Sequence, residues 1–142
     1  SLKQEDVKIK DIVIALAAST NSAVNWNKFQ GADFAPTVNF ELMLKAYHAA
    51  QSLGISVKAG NILSSDEFYD DNPDSYKKWA SYGVLGVEME TAALYTIAAK
   101  YRAKALALFT ISDSLITKET TSAKERQNSF NEMVKIALGT LE

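Results

Sequence analysis

Two short stretches of the chain set carboxylates where a strand would end. In Gly83-Val84-Leu85-Gly86-Val87-Glu88-Met89-Glu90-Thr91-Ala92-Ala93 an apolar run hands over to two acids one residue apart, and then to an alanine-rich helical pattern. In Ala105-Leu106-Ala107-Leu108-Phe109-Thr110-Ile111-Ser112-Asp113-Ser114 a second apolar run closes on a serine and an acid. In an open α/β sheet the ligand crevice lies beyond the carboxyl ends of the strands, so Glu88 to Glu90 and Ser112 to Asp113 are placed to accept hydrogen bonds from a ligand or to move a proton. The same acids also suit the cap or first turn of a helix, where the macrodipole stabilises them. The pattern alone leaves both readings open.

Composition narrows the chemistry. The 142 residues include no cysteine and one histidine, so thiolate and His-rich metal sites are excluded and any catalysis falls to carboxylates and hydroxyls. His48 falls off the apolar stripe of its helix and is given no role, and the adjacent pair Asp70-Asp71 is too sparse a ligand set for a metal. A net charge of −2 with Lys and Glu interspersed leaves no basic footprint for nucleic acid, and a small, weakly charged ligand fits better. The apolar runs fall short of the ~20 residues of a membrane helix, and Ser1 to Asp6 is too polar for a signal peptide. These features predict a cytoplasmic protein with no membrane partner.

The elements that must position these residues follow from the apolar pattern. Ile9 to Ala18 reads as a buried strand, and Thr20 to Pro36 as a long loop of the kind that shapes a site or an oligomer contact. Asn39 caps a helix from Phe40 to about Leu53, ended by Gly54. A strand over Ile55 to Leu63, a short helix over Asp74 to Tyr82 stopped by Gly83, the first acid-bearing strand, a helix over Thr91 to Arg102 and a strand over Lys104 to Ile111 come next. Ser122-Ala123-Lys124-Glu125 is a capping-box pattern opening the last helix. The alternation predicts one α/β domain over 1–142, a central sheet covered by helices on both faces. In the last helix the stripe Phe130, Met133 or Val134, Ala137 and Leu141 leans Arg126 toward the covered side, where a guanidinium wants a carboxylate partner; the alternative is an arginine that snorkels at the surface.

The motifs V-E-M-E-T-A-A-L-Y (87–95), T-I-S-D (110–113) and E-R-Q-N-S-F-N-E-M (125–133) together resemble the bacterial hexameric purine nucleoside phosphorylases of the wider nucleoside phosphorylase and nucleosidase superfamily. The resemblance covers essentially the whole chain and corresponds to the C-terminal three-fifths or so of such an enzyme. It implies a phosphorylase/hydrolase-like fold, a mixed central sheet flanked by helices and incomplete at its N-terminal side, and reversible conversion of a purine nucleoside and phosphate to free purine and ribose or deoxyribose 1-phosphate. Phosphate is then a co-substrate, and no metal or organic cofactor is implied. The full-length enzyme is expected to be a homohexamer, a trimer of dimers.

Carried over residue by residue, the resemblance makes Glu90 the ligand of the ribose diol, since a fixed carboxylate accepts from both adjacent hydroxyls. Glu88 and Met89 match the other members of that triplet, Met89 offering an apolar thioether surface. Asp113 matches the acid that protonates N7 of the leaving purine, with Ser112 beside it in the nucleoside-binding pair. Arg126 matches the arginine that assists Asp113. Phe68 matches an aromatic that packs on the purine, with core filler as its alternative, and Val87 lines the base pocket. Ser114 departs from the histidine that often follows the aspartate. The phosphate-binding residues, and those donated by a neighbouring subunit, are expected upstream of Ser1. Two alternatives stand beside this reading: a nucleosidase of the same superfamily using water, and a non-catalytic fragment that holds a nucleoside half-site and needs a complementary chain.

Overall fold

Ile12–Thr20 forms the central strand, β1. Its alternation divides the interior: Val13 and Ala15 join one buried cluster and Ile12 and Ile14 another, each of the four at most 1% exposed. A strand buried on both faces needs cover on both, and the helices supply it. The computed structural model describes residues 7–67, 72, 74–115 and 120–141, with the side chains of 123 and 125–129 outside that description. β1 starts three residues later than the apolar run predicts. Lys10 adopts φ +76°, and the Asp11 carboxylate accepts the Lys8 N–H at 2.8 Å, so the chain turns before it extends.

Val57–Ser64 (β2) lies parallel to β1, from Ile12 opposite Val57 to Thr20 opposite Ser64. A register shift between Ala15 and Ala17 leaves Leu16 as the extra residue of a bulge. Val87–Glu88 (β3) continues the sheet in parallel beyond β2, and Leu108–Thr110 (β4) pairs antiparallel with β1. The order is β3-β2-β1-β4, a mixed sheet as expected. β4 is shorter than its apolar run because the backbone ahead of it turns to other partners: Ala105 O accepts from Asn39 N–H (3.0 Å) and Ala107 N–H donates to Tyr95 Oη (3.0 Å), while Ala107 O still accepts from Ala15 N–H of β1 (3.1 Å).

Six residues of the expected long loop form a helix, α1 (Ala23–Lys28), because the Ser22 hydroxyl accepts the Val24 N–H. Helix α2 (Phe40–Ser52) is capped by Asn39 Oδ1, which accepts Leu42 N–H at 3.1 Å, and is closed beyond Leu53 by Gly54 at φ +69°. Helices α3 (Ser75–Ser81), α4 (Thr91–Lys100) and α5 (Ala123–Gly139) complete the fold. Helix α4 covers one face of β1 through Ala92 and Tyr95, while α2 and α5 cover the other through Ala46, Ala50 and Ile136. The stripe expected for the last helix holds at Met133 and is otherwise displaced: Ile136 is buried, whereas Phe130, Val134 and Leu141 are exposed. Among the described residues no helix is long and apolar enough to cross a membrane.

Candidate active site

The antiparallel β4 complicates the simple crevice rule. The carboxyl end of β3 lies with those of β1 and β2, whereas the carboxyl end of β4 lies beside the start of β1, where Thr110 faces Ile12. Curling of the sheet brings the two outer segments together. A Cβ on Gly86, just before β3, would stand 3.7 Å from Ile111 Cδ1, just after β4. Between them is a cavity of about 540 Å³, inside the ~300–1,000 Å³ range of small-ligand sites.

Val13 and Ile62 floor the cavity; Val87, Glu88, Met89 and Glu90 form one rim, and Ser112 and Asp113 lie on the other. The two acid-bearing motifs therefore meet at one site. Four further side chains line it that the motifs did not single out: Tyr76 from α3, Phe109 from β4, Glu67 after β2 and Leu115 beyond Asp113. Phe109 was legible from the period of two that puts 109, 111 and 113 on one side of a strand. Phe109 and Ile111 pack with Val13, while Leu108 packs with Ile12 and Ile14. Tyr76 lies in a polar helix whose sequence carries no such signal.

Glu88 and Glu90 have separate surroundings. Glu88 Oε2 accepts the backbone N–H groups of Glu90 (2.7 Å) and Thr91 (2.8 Å), and Ser64 Oγ donates to Glu88 Oε1. Ser64 Oγ in turn accepts Ala92 N–H at 2.8 Å. Glu88 thus stabilises the positive end of α4, the capping alternative raised by the sequence. Glu90 occupies the N-cap position without making a side-chain cap bond, and its exposed carboxylate stands at the cavity rim. Met89 is 41% exposed beside it.

Ser112 Oγ donates to Asp113 Oδ2 at 2.7 Å. The Ser112 carbonyl accepts both the N–H (3.0 Å) and the hydroxyl (2.9 Å) of Thr121, and Asp113 bridges antiparallel to Thr120. Ser112 and Asp113 are thereby tied to Thr121 and Thr120, just ahead of α5. Arg126 lies in the first turns of α5, seven residues before Met133, whose sulfur accepts the Thr110 hydroxyl at 3.6 Å. Its side chain, and Phe68 as a whole, lie outside the described residues.

Tyr95 ties the site to the sheet. Its hydroxyl, 1% exposed as a residue, donates to Ala15 O (2.7 Å) and accepts Ala107 N–H (3.0 Å), joining α4 to β1 and to the segment leading into β4. Burial pushes the phenol up to about 12, with the Ala107 N–H acting against the shift and the Glu88 carboxylate adding to it. Among the described residues no three His, Cys, Asp or Glu side chains group as metal ligands. The arrangement is an apolar slot with a carboxylate acceptor on one rim and a serine–carboxyl pair on the other, suited to a flat ligand carrying hydroxyls.

The profile of the phosphorylase superfamily matches residues 1–141. The purine nucleoside phosphorylase DeoD-type of Thermoanaerobacter sp. (strain X514) is 58% identical over 139 residues, covering 98% of this chain and 60% of that protein. The protein of the same name from Caldanaerobacter subterraneus subsp. tengcongensis is 59% identical over 135 residues (95% and 58%), and that of Clostridium perfringens (strain SM101 / Type A) 52% over 135 (95% and 57%). The chain thus spans about 60% of the length of the curated relatives it matches. With its three motifs, its mixed sheet and its match over nearly every residue, the chain belongs to the phosphorylase superfamily.

Proposed function

We propose that the chain carries the nucleoside half of a purine nucleoside phosphorylase, an enzyme that converts a purine ribo- or deoxyribonucleoside and phosphate reversibly to the free base and the pentose 1-phosphate. The observation that carries this reading is the convergence of Val87 to Glu90 with Ser112 and Asp113 on one cavity, in a chain 52–59% identical to proteins of that name.

In the reaction the C1′–N9 bond breaks, its electron pair passes to the purine, and a phosphate oxygen bonds to C1′. The base leaves readily only if it is protonated as it departs. Asp113 supplies that proton to N7 and recovers one from solvent, with Ser112 orienting its carboxyl group. Arg126 assists by pairing with the carboxylate that remains. Glu90 accepts from the 2′ and 3′ hydroxyls, while Met89, Val87 and Phe109 provide apolar surface for sugar and base. Glu88 acts at one remove by fixing the start of α4. The chemistry asks for phosphate as co-substrate and for no metal or organic cofactor. The same reading places the enzyme in purine salvage, in the cytoplasm, as a homohexamer.

The test is release of hypoxanthine from inosine with and without phosphate. Phosphate-dependent release supports the phosphorylase. Release independent of phosphate would replace it with a nucleosidase, and no release with inosine still bound would leave a non-catalytic half-site.

A further inference from the structure

The first N–H groups of a helix have no partner within it, and in α4 they are met from outside the helix. Ser64 ends β2 and Glu88 ends β3, and the two are direct partners in the parallel ladder. Ser64 is only 4% exposed. Its hydroxyl donates to Glu88 Oε1 and accepts Ala92 N–H (2.8 Å), while Glu88 Oε2 accepts Glu90 N–H (2.7 Å) and Thr91 N–H (2.8 Å). Two side chains held by the sheet therefore satisfy three consecutive N–H groups. The consequence falls on Glu90. With the helix start met by Ser64 and Glu88, Glu90 at the N-cap makes no side-chain cap bond.

We infer that Ser64 is a positioning residue for substrate recognition: by holding the Glu88 carboxylate on the start of α4, it keeps the Glu90 carboxylate out of the helix cap and available to a ligand diol in the cavity. Ser64 acts through Glu88 and the helix start. Removing its hydroxyl frees Glu88 Oε1 and leaves Ala92 N–H unmet. Glu88 is then held only through Oε2, Glu90 is a second acid beside the unmet helix N–H, and capping by Glu90 competes with ligand binding. The inference rests on the reading of Glu90 as the diol acceptor.

The experiment compares binding of inosine and 2′,3′-dideoxyinosine by calorimetry in wild type, Ser64→Ala and Ser64→Thr. Wild type is expected to prefer inosine by about tenfold or more, the worth of hydrogen bonds to a charged acceptor. Ser64→Ala is expected to lose most of that preference while its affinity for dideoxyinosine stays within about twofold, and Ser64→Thr, which keeps the hydroxyl, to restore it. If Ser64→Ala does not fold, Ser64→Cys, with a similar volume and a weak donor, carries the same comparison. A retained preference in the serine variant, or an equal loss for both ligands, overturns the role of Ser64 while the Glu90 reading stands. A wild type with no preference removes the Glu90 reading itself, and the inference with it.

Discussion

Glu88 accepts the backbone N–H of Glu90 at 2.7 Å, so two acids one residue apart are divided between a helix start and a cavity rim. This division predicts opposite phenotypes. Glu88→Ala should cost about 1–3 kcal/mol of stability, because a cap is lost and N–H groups go unmet. Glu90→Gln should leave stability within about 0.5 kcal/mol, as for an exposed position, and lower the preference for inosine over its 2′,3′-dideoxy form. Urea unfolding of both variants, alongside ligand titration, checks the pair. Equal destabilisation by the two substitutions contradicts the division.

Tyr95 should make stability depend on alkaline pH. Its folded value is raised to about 12 from an ordinary 10. The unfolded chain therefore ionises first, and the contribution is complete below about pH 10 and lost as pH rises toward 12. Tyr95→Phe should be less stable near neutrality by about 1–3 kcal/mol, because Ala15 O and Ala107 N–H lose their partner. That gap should narrow above pH 10, since only the wild type carries the titration. Denaturation of both proteins between pH 8 and 11 measures it, and a gap that widens with pH refutes the assignment.

Gly139 lets α5 approach α2. A Cβ there would meet Ala49 Cβ at 2.8 Å, on a side chain with no flexible end to move aside. Gly139→Ala should destabilise by about 1–3 kcal/mol through overpacking, although alanine is the better helix former by about 1 kcal/mol. Adding Ala49→Gly should recover most of the loss. A double-mutant cycle reads the coupling, and additive effects would remove the steric explanation.

The parts of the fold that rest on local chemistry were legible. Asn39 and Gly54 bound α2 as their types require, and the nearly continuous apolar, β-branched run from Ile9 to Ala18 marked a buried strand, which begins at Ile12. Direction and curvature were not legible, because a period of two is the same for parallel and antiparallel strands. Nothing in Leu108–Thr110 announces that β4 runs against β1, or that Gly86 and Ile111 come into contact. In α5 the apolar residues are too numerous to choose a face, and Ile136 lies covered where Phe130 and Val134 were expected. For the site, types and spacing located both acid clusters. The capping of α4 by Glu88 and Ser64 emerges only once β2 and β3 are paired.

The proposed reaction depends on the carboxyl group of Asp113 as the acid that protonates the departing purine. Its decisive check is steady-state phosphorolysis of inosine by Asp113→Asn, with inosine affinity measured in the same samples. A kcat reduced by about 10²–10⁴, the usual worth of a general acid, is expected, with inosine affinity changed only a few-fold. Turnover equal to wild type would rule out the acid role of Asp113.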